Sequence, residues 1–102
     1  MRKKKFIYPK GPKKRGKINI YPEISRGNSI SIHIIGNPDG LKYLADWLNF
    51  LANFDLNQTD DPIGSREHFH FHPTCQLNSH SCEVIIWRAD ANGTRELPDF
   101  MD

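Results

Sequence analysis

Ser29-Ile30-Ser31-Ile32-His33-Ile34-Ile35 runs directly into Gly36-Asn37-Pro38-Asp39-Gly40-Leu41, and the change of period at that junction decides the fold. Up to Ile34 the apolar residues alternate, which is the signature of a strand with one buried face. Ile30, Ile32 and Ile34 are expected inward, with Ser29, Ser31 and His33 outward. At Asn37 the pattern breaks. Asn37 can cap a helix, Pro38 suits its first position, and Asp39 favours the positive end of its dipole. Leu41, Leu44, Ala45, Leu48, Leu51 and Ala52 then follow at helical spacing, with Trp47, Phe50 and Phe54 widening the apolar stripe on its flank. So wide a face predicts a helix lying flat against a sheet.

Upstream of this junction, Ile18, Ile20 and Ile24 share one parity, and Ser25-Arg26-Gly27-Asn28 supplies turn residues. This predicts a β-hairpin whose first strand lies at an edge, because Pro22 has no N–H to donate. Downstream, Asp60, Asp61, Pro62 and Gly64 mark an acidic surface loop. Glu67 to His72 resumes period two, with Phe69 and Phe71 on one face and His68, His70 and His72 on the other. Pro73 ends that strand, and Glu83-Val84-Ile85-Ile86-Trp87-Arg88 is the last strand. The expected fold class is therefore α+β: a four-stranded β-sheet in β-β-α-β-β order with one helix packed on one face. The other face stays open and carries Ser31, His33, His68, His70 and His72. Either Ile85 and Trp87 or Val84, Ile86 and Arg88 join them from the last strand, and periodicity does not choose between the two sets.

The 102 residues suit one domain with one core. Charge divides them unevenly. Before Ile18 there are nine basic residues and no acid, whereas from Ile18 onward five basic residues face all 12 acids, a formal balance of −7. Residues 1–16 read as a basic, flexible arm in which Phe6-Ile7-Tyr8 can add a short edge segment, 17–89 as the domain, and 90–102 as an acidic tail with no assigned structure. The arm lacks interleaved aromatic and arginine residues that would read bases, so nucleic acid is not the expected partner. No apolar run is long enough to span a membrane. No secretory pattern precedes Cys75 and Cys82, which read as free thiols of a cytoplasmic protein.

Three constellations could carry chemistry. His68, His70 and His72 place three imidazoles on one strand face, the alternative reading being a metal site completed from neighbouring strands. Cys75 or Cys82 with His80 offers a nucleophile and a base that nothing orients. Asp60 and Asp61 are adjacent in a loop rather than facing each other. No phosphate-cradling loop exists, since Gly36 and Gly40 belong to the capping turn, and no cofactor is expected. An exposed Trp87 among histidines has the composition of an interface centre.

Several segments together resemble a known family. Ile35-x-Asn37 with Gly40-Leu41-x-x-Leu44-Ala45-x-x-Leu48, the strand Glu67-His68-Phe69-His70-Phe71, and Glu83-Val84-Ile85-Ile86 resemble the immunity protein 32 family of bacterial polymorphic-toxin systems. The resemblance runs from Ser29 to Arg88 and leaves out the basic arm. The family pattern carries an acidic residue where this chain has His72, which sets the third imidazole apart from His68 and His70. The resemblance implies a cytoplasmic antidote that binds a cognate toxin and has no catalytic residues. The expected binding residues are Asp60, Asp61, Glu67, His68, His70, His72, His33 and Trp87, and a second copy of the chain is the other candidate for the open face. A histidine-rich metal-binding protein and a nucleic-acid module using the arm are the competing readings.

Overall fold

The computed structural model describes residues 10–58 and 60–101. In chain order it has strands β1 (Ile18–Ile24) and β2 (Ile30–Gly36), helix α1 (Pro38–Ala52), one 3-10 turn (Leu56–Gln58), and strands β3 (His68–Phe71) and β4 (Val84–Trp87). The expected element order and the α+β class are both present. The edge segment expected at Phe6-Ile7-Tyr8 lies outside the described residues.

The helix starts as its cap chemistry dictates. The Asn37 side-chain oxygen accepts from the Gly40 N–H at 2.8 Å and from the Lys17 N–H at 3.0 Å, so one amide both caps α1 and fastens it to the start of β1. Gly40 then lies directly on the Lys17 backbone, where a Cβ would fall well inside the 3.0 Å limit of real contacts. That approach brings Tyr43 and Trp47 over Ile18, Ile20, Phe71 and Leu77, which form the core together with Leu44, Phe69, Val84 and Ile86. Trp47 meets Phe50, Phe69 and Phe71 edge-on, with ring centroids 5.3–5.8 Å apart.

The four strands do not form one sheet. They make two antiparallel pairs, β1 with β2 and β3 with β4. What separates them is the segment 78–82 along the outer edge of β1. Its Asn78 and Cys82 N–H groups donate to the Ile18 and Ile20 carbonyls at 2.8 and 2.9 Å. In return the Ile18 and Ile20 N–H groups donate to side chains, Asn78 Oδ1 and Ser81 Oγ. Side-chain acceptors satisfy that edge without propagating a ladder, so β4 begins a new pair instead of extending the first.

The helix is also rotated from its expected position. Its buried residues are Gly40, Tyr43 and Leu51, flanked by Trp47 and Phe50, whereas Leu41 and Leu48 stay 47% and 46% exposed. Aromatic rings bury more area per residue than leucines, and Gly40 sets the close approach on the aromatic side. Because α1 leans over Ile18 and Ile20 towards β3, it does not reach the far end of the first hairpin. Ile30, Ile32 and Ile34, expected inward, are 65%, 61% and 52% exposed, and Ile24 is 71% exposed.

Candidate functional site

The register of β3 with β4 settles which residues share the histidine face. His68 lies opposite Trp87 and His70 opposite Ile85, while Phe69 and Phe71 pair with Ile86 and Val84 on the core side. Phe71 is 1% exposed, and strand alternation puts the imidazoles on the face opposite Phe69 and Phe71. The open face is therefore real on this hairpin, and Ile85 and Trp87 are its members from β4. His68 stacks on the Trp87 indole with centroids 3.9 Å apart, and its Nδ1–H donates to the Arg66 carbonyl at 3.2 Å. Together these make a flat, aromatic, half-exposed platform.

His70 and His72 are drawn to a residue that sequence reasoning overlooked. Glu83, just before β4, sits between them, with its two carboxylate oxygens 3.2 Å from His70 Nδ1 and 3.3 Å from His72 Nδ1. The two imidazoles stack at 6.1 Å with an 11° tilt. Continuing the β3–β4 register by one pair places Glu83 opposite His72, so the pairing alone would have exposed it. Among the described residues, His70, His72 and Glu83 are the set whose ligand atoms come within 4.8 Å of one another, and all three are exposed. These are the donors that could hold a divalent ion. His68, stacked on Trp87, is not among them, so the set differs from the expected three histidines by having Glu83 in place of His68.

Next to this platform is the acidic loop. Asp61, Ser65, Arg66, Glu67 and His68 line one shallow depression. Burial pushes the Glu67 carboxyl up to about 7, helped by a hydrogen bond with Asp61 and by its charge, against the lowering influence of His68 and Arg88. Glu67 is thus partly protonated near neutrality, beside the exposed Asp60 and the half-buried Asp61. Its position is fixed from the C-terminal side: the buried Asn92 side chain donates to the Asp61 carbonyl at 2.7 Å, its N–H donates to the Ser65 carbonyl, and its carbonyl accepts from Gly64. Arg66 reaches back to the carbonyls of Ala89 and Glu96. Arg88 forms a two-pronged pair with Asp90, holding that carboxyl below its usual range, and donates to the Phe54 carbonyl at the end of the helical region.

The structure therefore brings Asp61, Glu67, His68, His70, His72 and Trp87 into one strip, with Asp60 at its end. His33 does not belong to it. It lies on the β1–β2 hairpin, stacked on Tyr21 at 5.3 Å, with Nε2 3.5 Å from Glu23, a distance of charge proximity rather than a hydrogen bond. Cys75 and Cys82 are free and exposed. The described part of the basic arm lies against the body, through Arg15 to Asp46 at 2.9 Å and Lys14 to the Gln76 carbonyl. No helix among the described residues is long and apolar enough to cross a membrane.

The family model described as Immunity protein 32 matches residues 31–89, from β2 to just beyond β4. No curated protein and no solved structure matches the chain.

Proposed function

The chain belongs to the immunity protein 32 family, and from that premise we propose that it is a cytoplasmic antidote that binds a cognate toxin domain and blocks it. Family membership over 31–89 is the observation that carries this reading, since the matched segment contains β3, β4 and the acidic loop that adjoins them. The contact strip runs from Asp60 and Asp61 across His68 and Trp87 to His70, His72 and Glu83. Its centre has the anchors expected of an interface, a half-exposed tryptophan stacked on an imidazole, and its ends carry charge. The activity is occlusion and needs no reacting group.

The toxin's chemistry follows from charge. From Ile18 onward the formal balance of −7 suits a basic target, such as the nucleic-acid-binding cleft of a nuclease, and would steer encounter with it. The test is binding of the purified chain to the C-terminal domain encoded beside its gene, with rescue of cells expressing that domain. Tight binding is expected, with an association rate that falls as salt rises. Asp60→Lys with Asp61→Lys should slow association while leaving the fold intact. Failure to bind or protect sinks the antidote reading. Unchanged rates in the double variant remove the two aspartates from the contact.

A further inference from the structure

The first hairpin carries a surface that the antidote reading does not use. On β1 the N–H and C=O groups of Ile18 and Ile20 point away from β2, to the segment 78–82. Antiparallel alternation then turns the N–H and C=O groups of their cross-strand partners Ile34 and Gly36, and those of Ile32 and Ile30, to the outer edge of β2. Among the described residues no backbone group bonds to Ile30, Ile32 or Ile34 there. β2 contains no lysine, acid or proline, the usual guards of a free edge, and the same three isoleucines form the exposed apolar face. That face continues onto the helix, because the Leu41 side chain lies beside Gly36 and Leu48 follows two turns later on the same stripe. Ile24, Ile30, Ile32, Ile34, Leu41 and Leu48 are each 46–71% exposed, and together with their backbone leave roughly 600 Å² in water, against the ~800 Å² per partner of a standard interface.

We infer that a second copy of this chain covers this surface, adding its own β2 antiparallel to the first about a two-fold axis near His33. The geometry is self-complementary in three respects. The period of two keeps every even-numbered side chain of both copies on one face when the strands pair residue to residue about position 33, so Ile32 meets Ile34 and Ile30 meets Gly36. One end of each hairpin is covered by α1 and the other is bare, and the two-fold sets each bare end, with Ile24 and Ile30, beside the partner's Leu41 and Leu48 stripe. The turn residue Arg26 is carried to the helix start that bears Asp39, an attractive placement. The product is a four-stranded sheet, β1-β2-β2-β1, with a helix from each copy on its apolar face. This assembly leaves the histidine strip on β3 and β4 free, and it stands or falls independently of the toxin.

The experiment is light scattering on the full chain over about two decades of concentration, with amide hydrogen exchange on the same samples. The expected mass is twice the 11.8 kDa of one chain, with protection of the Ile30, Ile32 and Ile34 amides rising with concentration. Ile32→Lys, at a position exposed in the single chain, should yield a folded monomer with those amides unprotected at every concentration. Three results would overturn the inference: a monomer throughout, a dimer indifferent to Ile32→Lys, or amides protected equally at all dilutions, which would mean that the chain covers its own edge.

Discussion

Replacing Gly40 by alanine opposes two effects of known size. Inside a helix, glycine to alanine ordinarily stabilises by about 1 kcal/mol, because alanine loses less backbone freedom. Here the added methyl would run into the Lys17 backbone, deep inside the 3.0 Å limit. Reaching van der Waals distance at ~3.5 Å requires α1 to retreat from β1 by about 1 Å or more. The retreat would strain the shared Asn37 oxygen, which accepts from both Lys17 and Gly40, and lift Tyr43 and Trp47 off Ile18 and Phe71. Overpacking of this kind costs about 1–3 kcal/mol and occasionally more. The expected net effect is a loss of about 1–2 kcal/mol, which for a domain this size lowers the melting temperature by roughly 5–15 °C. Ala45→Gly, at an exposed position of the same helix, calibrates the propensity and should lose about 1 kcal/mol. Urea unfolding followed by tryptophan fluorescence reads both, provided the slope is unchanged. A Gly40→Ala chain as stable as the parent or more so, with Ala45→Gly behaving as expected, would refute the close helix–strand approach on which the fold description rests.

Two further outcomes follow from the site. Glu67 has its carboxyl raised from 4.5 to about 7 by burial and by Asp61, so between those values the folded chain holds a proton that the unfolded chain has released. Stability should fall as pH rises from about 4.5 to 7 and level off above. Glu67→Gln should flatten that segment and leave the protein more stable than the parent at pH 8. An identical pH slope in the variant would locate the titration elsewhere. Zinc added to untagged protein should broaden the imidazole resonances of His70 and His72 but not that of His68, and Glu83→Gln should weaken the effect. Equal broadening of all three histidines would contradict the geometry.

The element order and the outward turn of the imidazoles were legible because each rests on a local signal. Alternation sets Phe69 and Phe71 against His68 and His70, and Asn37-Pro38-Asp39 can hardly be anything but a helix start. The single sheet was misjudged because what interrupts it is side-chain bonding by Asn78 and Ser81, which has no periodicity. The helix rotation was misjudged because hydropathy ranks leucine as highly as any aromatic residue. Gly40, Tyr43 and Trp47 lie on one stripe at positions i, i+3 and i+7, and a glycine heading an aromatic stripe was the available sign that this side packs closely. Glu83 became visible only once the β3–β4 register was known. The return of residues 90–96 onto the acidic loop depends largely on backbone carbonyls, which every residue carries, so composition could not announce it.

That return has a consequence for how such a protein can be retuned. Asn92 lies three residues beyond the matched segment 31–89, yet it holds the Asp61 and Ser65 carbonyls and thereby aims the acidic loop. Substitutions in the last dozen residues can therefore shift the bearing of Asp60 and Asp61 without altering any position of the family pattern. The scaffold and the aim of its charges are separately adjustable, and the adjustment is made from the C-terminal side.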